Sequence, residues 1–196
     1  MRSIVLILNL LFANLIFCQS SFLDFPSISE FKNKQKCLYI EKFGNGSSKQ
    51  SLFIVYQNTD SKWVAKLFTD THTFEQNISG NIFKEENLQQ SNFKKTWCNI
   101  LMTDIKYLPK YETIEYKFVQ KQIDGSNSKE ECDIIEITEI VDHDTCYTIY
   151  FKDGENSNEI KYDTFYTNFQ SHPNVDELIS VNNLIRLIEK EFKIDL

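Results

Sequence analysis

Several residue types and patterns are scarce in this chain, and each scarcity excludes a class of protein. Only five glycines occur among the 196 residues, and they form no Gly-rich loop that could cradle a phosphate group. The chain also lacks the Gly-x-Ser-x-Gly motif of serine hydrolases and the helical motif of zinc proteases. These absences argue against an enzyme, and we predict no cofactor and no metal.

Basic residues are also sparse and scattered. The net charge is −7, and no run of Lys or Arg is longer than the pair Lys94–Lys95. Nucleic acids and anionic membranes both bind basic surfaces, so neither is an expected partner. Alanine occurs only at Ala13 and Ala65, whereas Asn, Lys, Ile and Phe are abundant. A bias towards A/T-rich codons explains this composition, so the 16 Phe and 9 Tyr do not by their number indicate a ligand pocket.

Long apolar runs are confined to the N-terminus. Arg2 precedes a mostly apolar run at positions 4–17, which is interrupted by two asparagines and ends near the small residues Cys18 and Ser20. The run is shorter than the ~20 residues that span a bilayer, and its plan is that of a secretory signal peptide. We predict cleavage after residue 20, with 21–196 forming a single secreted, extracellular domain without a membrane span.

The rest of the chain consists of short apolar stretches separated by turn residues, a pattern typical of antiparallel β-sheets. The stretch 113–120 alternates most clearly, as a strand with one solvated face would. The pattern predicts a mainly β fold: an antiparallel meander forming a barrel, a half-barrel or a sandwich of about nine strands. The predicted strands are Cys37–Phe43, Ser51–Gln57, Ser61–Phe68, Gly80–Lys84, Trp97–Thr103, Thr113–Gln120, Ile134–Val141, Cys146–Lys152 and Glu159–Thr167.

Two segments have helical signatures. Ser27 and Glu30 are spaced as a capping box, which predicts a short helix that extends to Lys36. Asn174 and Glu177 have the same spacing and precede an apolar stripe of helical period. We therefore expect a C-terminal amphipathic helix packed on the sheet. Its stripe consists of Leu178, Val181, Leu184, Ile185, Ile188 and Phe192.

Four cysteines remain after the predicted cleavage, and an even number in a secreted chain suggests two disulfide bonds. They are Cys37, Cys98, Cys132 and Cys146. If 134–141 and 146–152 form one hairpin, Cys132 lies roughly 26 Å from Cys146 at ~3.3 Å per residue. A disulfide tolerates Cα separations only up to ~7 Å, so this pair is disfavoured. Cys37 and Cys98 should then each pair with one of the later two, and both arrangements remain open.

Two further local patterns concern modification and metal binding. Asn45 and Asn77 begin Asn-x-Ser sequons in predicted turns, so the mature chain is expected to be a glycoprotein. His143 lies between two aspartates and near Cys146, in a pattern that could bind a metal or respond to pH. An exposed turn explains the same residues, and no second His-rich segment completes a coordination shell. We predict no metal site.

Two functional hypotheses follow from this architecture. The first is a secreted carrier of a lipid or another hydrophobic small molecule, because a curled β-meander can enclose an apolar cavity. In outline this resembles lipocalins and half-barrel lipid binders, although the Gly-x-Trp of many lipocalin first strands is missing. Candidate lining residues are Trp63, Ile114, Tyr116, Phe118, Tyr147, Ile149 and Phe151; the alternative is that these residues fill a closed core.

The second hypothesis is a secreted factor that binds another extracellular protein, such as an inhibitor, an effector or a surface-recognition module, and has no small-molecule ligand. In such a protein the β scaffold holds loops that make the contacts. The segments 70–95 and 153–158 are the candidates, because they are long or polar.

Overall fold

A computed structural model describes residues 25–44, 50–70, 83–124, 133–137 and 144–196 of the chain, with backbone only for 120, 122–124 and 133–137. The predicted signal peptide, both sequons, His143 and Cys132 lie outside the described residues. The helices within these ranges are all too short or too polar to cross a membrane.

The described strands form an open six-stranded antiparallel sheet and a separate two-stranded one. The strand order in the large sheet is β4-β3-β2-β1-β7-β8, so the first four strands make a meander and the last hairpin joins its β1 edge. The two-stranded sheet pairs β5 with β6. The strands are β1 Lys36–Gly44, β2 Ser51–Gln57, β3 Trp63–Asp70, β4 Phe83–Asn87, β5 Gln120–Asp124, β6 Asp133–Ile137, β7 Thr145–Asp153 and β8 Asn156–Tyr162.

Within the described residues, four α-helices and three 3₁₀ turns accompany the strands. The α-helices are α1 Phe93–Leu101, α2 Tyr111–Ile114, α3 Phe165–Ser171 and α4 Asp176–Phe192. The 3₁₀ turns are Ile28–Glu30, Ile105–Tyr107 and Glu115–Phe118. The C-terminal amphipathic helix is therefore present, and its six predicted apolar positions are all buried. The capping box predicted at Ser27 and Glu30 is also present, but it begins only one 3₁₀ turn.

Three of the nine predicted strands have a different structure. Helix α1 includes most of 97–103, and 113–120 is mainly α2 and the 3₁₀ turn after it. The predicted strand 159–167 ends at Tyr162, and α3 follows. An open sheet with helices, rather than a nine-stranded barrel, thus accounts for the described residues. The mainly β character and the meander of the first strands are confirmed.

Strands β1, β2, β3 and β7 of the large sheet divide their apolar side chains between two cores. The inner face packs against the helices, because alternate positions of β1, β2, β3, β7 and β8 share one apolar cluster with α1 and α4. On β1, Leu38 and Ile40 point inward, whereas Cys37 and Tyr39 belong to a second cluster on the outer face. The N-terminal segment covers part of that outer face with Phe25, Ile28 and Phe31. Because both faces are covered, the central strands are apolar almost throughout.

Candidate functional site

The candidate ligand-lining residues of β7 lie inside the helix-covered core. Tyr147, Ile149 and Phe151 are each 0% exposed and pack with α4 and the other inward side chains. Tyr147 also stacks edge-on against Phe165, with the ring centroids 5.4 Å apart. Burial raises the pKa of Tyr147, and its hydroxyl lies 3.1 Å from that of Tyr166. These three side chains are therefore part of the buried inner core.

The candidates at 114–118 are separated by the helical geometry of their segment. Ile114 and Phe118, four residues apart, are both buried in the inner core. Tyr116 points away from them and is 71% exposed. A strand would have placed all three side chains on one face, so the prediction that Tyr116 lines an interior is wrong for this structure.

Tyr116 is one of three large apolar side chains that are exposed on the same stretch of chain. The segment 102–118, here called the recognition segment, also carries Met102 and Tyr107, which are 80% and 73% exposed. Among the described residues, no other large apolar side chain is exposed by more than half. Isolated exposed apolar residues are common in proteins, and contiguous exposed apolar patches mark contact sites, so a segment with three such side chains is a candidate contact surface.

The backbone of the recognition segment is attached to the edge strand β8. The side-chain amide of Asn158 donates hydrogen bonds to the carbonyls of Ile105 and Leu108, at 2.9 and 2.8 Å. The hydroxyl of Tyr162 donates to the carbonyl of Pro109 at 3.2 Å. These bonds satisfy carbonyl groups in and just after the 3₁₀ turn Ile105–Tyr107. The exposed side chains are consequently presented from a fixed backbone.

The far end of the recognition segment contacts the start of α4. Lys117 forms an ion pair with Glu177 at 2.5 Å, and the ring of Phe118 packs edge-on against His172 at 5.5 Å. Burial alone raises the pKa of the Glu177 carboxyl, but the hydrogen bond and charge of Lys117 outweigh it, so the pKa is lowered. Tyr111 stacks on Phe118 and accepts a hydrogen bond from the amide of Asn168.

A second feature is an aromatic cluster at the end of the inner face where β3 begins. Trp97 of α1 stacks on Phe151 with a centroid distance of 5.6 Å and contacts Trp63 at 5.1 Å. Trp63 in turn lies parallel to Phe93, at 6.0 Å. Trp63 and Phe93 are half-buried, whereas Trp97 is only 3% exposed. Two of the predicted lining residues, Trp63 and Phe151, are thus brought together here.

Of the polar groups at this cluster, the Lys36 ammonium has an ionic partner, whereas the indole N–H of Trp97 has no partner among the described residues. Lys36 places its ammonium 5.8 Å from the centre of the Trp97 ring and forms an ion pair with Asp153 at 2.9 Å. The indole Nε1–H of Trp97 is buried, and none of the described residues supplies a hydrogen-bond acceptor for it. Most buried polar groups in proteins are paired, so an unpaired indole N–H requires an explanation.

Helix α1 is held over the sheet by polar contacts with the end of α4. Thr96 donates to the Glu191 carboxylate at 3.2 Å, and Gln90 donates to the same carboxylate at 2.8 Å. Asn92 caps the helix by accepting from the backbone N–H of Lys95. These contacts fix the position of Trp97 relative to the sheet.

The described cysteines form no disulfide bond with one another. Cys37 and Cys98 carry thiols in the structure; Cys37 is buried on the outer face, and Cys98 is exposed on α1. Burial raises the pKa of the Cys37 thiol to about 12. Cys146 donates to the Asp163 carboxylate at 2.9 Å. The hairpin of 134–141 with 146–152 is not formed, because β6 pairs with β5 and β7 pairs with β1 and β8.

Strand register now constrains both favoured disulfide arrangements. Cys37 lies opposite Lys152, and Cys146 lies opposite Phe43, so the two cysteines are six positions apart on neighbouring strands. That spacing is roughly 20 Å at ~3.3 Å per residue, far beyond the reach of a disulfide. Cys98 and Cys146 are on opposite sides of the sheet. Each favoured arrangement contains one of these two pairs, so neither fits the fold.

No group of three His, Cys, Asp or Glu side chains within the described ranges is placed to hold a metal ion. The chain also matches no protein-family model, no curated protein and no solved structure.

Sequence reasoning missed Met102, Tyr107, Phe93 and Lys36. A signal for α1 was present, since Asn92 is a favourable N-cap and Phe93, Trp97 and Ile100 recur at helical spacing. No comparable signal identifies Met102 and Tyr107, because exposure follows from how the segment is anchored.

Proposed function

We propose that this protein is a secreted factor that binds another extracellular protein through the recognition segment. The observation that carries the proposal is the exposure of Met102, Tyr107 and Tyr116 on one anchored stretch of chain. Tyrosine and methionine are enriched at protein interfaces, where a few such side chains supply most of the binding energy.

The anchoring of the segment supports the same proposal. Asn158 and Tyr162 fix its backbone, and Ile105, Leu108 and Phe118 bury its apolar underside. Ordering a flexible loop on binding costs free energy, so a segment that is already held avoids much of this cost. Rigid aromatic side chains on such a scaffold are typical of binding surfaces that recognise proteins.

The predicted loops 70–95 and 153–158 contribute less to this proposal. Part of the first lies outside the described residues, and α1 begins within it. The second is the short β7–β8 hairpin, whose tip carries Gly154 with a φ of +64°. The proposal includes two predictions from the sequence. They are export through a signal peptide in residues 1–20 and glycosylation at Asn45 and Asn77.

A binding experiment with matched variants tests the proposal. The protein is produced in a eukaryotic secretion host, labelled, and titrated onto cultured cells to measure saturable surface binding. The triple variant Met102→Ser/Tyr107→Ser/Tyr116→Ser should bind at least tenfold more weakly, since interface anchors contribute about 2 kcal/mol or more each. The control Lys84→Ser/Glu86→Ser, exposed on the opposite edge strand β4, should bind normally. Absence of saturable binding, or equal binding by the triple variant, contradicts the proposal.

Carriage of an apolar small molecule is a second candidate function, and one observation favours it. The aromatic cluster at Trp97 reaches the surface through Trp63 and Phe93 and contains a buried donor without an acceptor. A ligand site of this kind is mostly apolar with few polar groups that orient the ligand. We propose this end of the inner face as the site, rather than the sheet interior, because Tyr147 and Ile149 are fully buried.

A further inference from the structure

The unpaired indole N–H of Trp97 identifies the chemistry that a ligand of the aromatic cluster would need. We propose that this cluster binds a planar apolar molecule carrying an uncharged carbonyl oxygen, which accepts a hydrogen bond from Trp97 Nε1. The inference rests on the second candidate function, that the cluster binds an apolar molecule at all.

The acceptor requirement follows from burial. Trp97 is 97% buried, its Nε1 atom is inaccessible, and the described side chains supply no acceptor for it. A buried donor without a partner carries a desolvation penalty that an acceptor would relieve. An indole can only donate, so the complementary ligand atom must be an acceptor.

The planar, apolar character follows from the ring geometry. Trp63 and Phe93 are parallel to within 5°, and Trp97 and Phe151 to within 15°. Aromatic side chains of this kind favour offset-stacked planar partners. Trp63 and Phe93 are the half-buried members of the cluster and offer the route from solvent, because Trp97 and Phe151 are buried.

The preference for an uncharged acceptor follows from the neighbouring ion pair. Lys36 is the cation nearest the Trp97 ring, but Asp153 already neutralises it at 2.9 Å. A ligand carboxylate at Trp97 would lose its hydration. Lys36 would not compensate for this loss, because its charge is already paired with Asp153. Burial of a charge without a partner is far more costly than burial of a carbonyl.

Three matched probes test the inference: 2-acetylnaphthalene, 2-isopropenylnaphthalene and 2-naphthoate. The first two have nearly the same planar shape and differ in a carbonyl oxygen against a methylene group. The chain contains two tryptophans, both in this cluster, so the indole ¹H–¹⁵N spectrum of tryptophan-labelled protein reports on the site. The variant Trp63→Phe assigns the two signals.

The ketone should bind and shift the Trp97 indole proton downfield. The alkene should bind about threefold to tenfold more weakly, which corresponds to one net hydrogen bond, and naphthoate more weakly than the ketone. In Trp97→Phe the preference for the ketone over the alkene should disappear; if that variant does not fold, the comparison in the wild-type protein decides.

Three results would count against the inference, and they differ in which part of it they leave standing. Equal binding of ketone and alkene, with no downfield shift at Trp97, refutes the acceptor while the cluster remains an apolar site. Failure of both neutral probes to perturb either indole signal refutes the acceptor and the second candidate function together. Tighter binding of naphthoate than of the ketone overturns the preference for an uncharged oxygen.

Discussion

Substitution of Asn158 by alanine tests how the recognition segment is held. The change removes two hydrogen bonds, to the carbonyls of Ile105 and Leu108. Each bond contributes about 1 kcal/mol net, and a partly buried acceptor left unpaired costs about 1–3 kcal/mol, so we expect a total loss of about 2–4 kcal/mol. The measurement is the free energy of unfolding from urea denaturation.

The same estimate predicts whether Asn158→Ala lowers the stability of the whole fold or detaches only the recognition segment. Ile105, Leu108, Ile114 and Phe118 remain buried under the segment, and each contributes about 1.5–3 kcal/mol, or roughly 6–12 kcal/mol together. Because this exceeds the loss from Asn158, the segment should stay attached in the variant. Hydrogen exchange should therefore show lower global stability, with no selective opening of 102–118.

Two companion variants make the reasoning refutable. Asn156→Ala removes an exposed amide from the same face of β8 and should change stability by less than about 0.5 kcal/mol. Asn158→Asp places a carboxylate against two carbonyls, so it should be more harmful than alanine at pH 7 and recover as acid protonates the carboxyl. An unfolding free energy of Asn158→Ala equal to that of the wild-type protein, or selective detachment of the segment, would refute the argument.

Three further outcomes are expected. Burial raises the folded-state pKa of Glu41, so its stabilising contribution is lost as pH rises; Glu41→Gln should be more stable than wild type at pH 7 in urea titrations, with the difference shrinking towards pH 4. The pKa of Glu177 is lowered, so its stabilising contribution is lost as pH falls: Lys117→Met should cost about 1 kcal/mol at pH 7, after allowance for solvent screening, and less as pH falls through the folded-state pKa of this carboxyl. A maleimide should label exposed Cys98 in the native protein but buried Cys37 only after unfolding, as peptide mass spectrometry can measure.

The strands of the large sheet were predictable where apolar character was continuous or turns were explicit. The first three strands and β7 match their predicted ranges to within two residues at either end. The segment 113–120 failed because its apolar residues fit two periods. Ile114 and Phe118 are two apart from Tyr116 but four apart from each other, so the alternation also satisfies one turn of helix. Only the exposure of Tyr116 distinguishes the two, and exposure depends on contacts with residues distant in sequence.

The candidate sites depend on similar long-range contacts. Trp97 is buried where α1 packs on the inner apolar core, and Glu191, almost a hundred residues later, accepts a hydrogen bond from the adjacent Thr96. The backbone of the recognition segment is held in place because the Asn158 side chain donates hydrogen bonds to two of its carbonyls. Neither partner is marked by local sequence, since a glutamate near a helix end and an asparagine in a polar strand are ordinary.

The cysteines illustrate how strongly such reasoning depends on register. The argument against Cys132–Cys146 required β7 to pair with the stretch before it, whereas β7 pairs with β1 and β8. Without that hairpin, the estimated separation of roughly 26 Å between Cys132 and Cys146 has no basis. The sheet separates Cys146 from both Cys37 and Cys98, so Cys132, the partner that the sequence argument disfavours, is the one that the described fold leaves open. The presence of four cysteines then no longer implies two disulfide bonds. The remaining pair would be Cys37 and Cys98, which lie on opposite sides of the same sheet. Stability of the described fold must come from its two apolar cores rather than from a covalent link between β1 and α1.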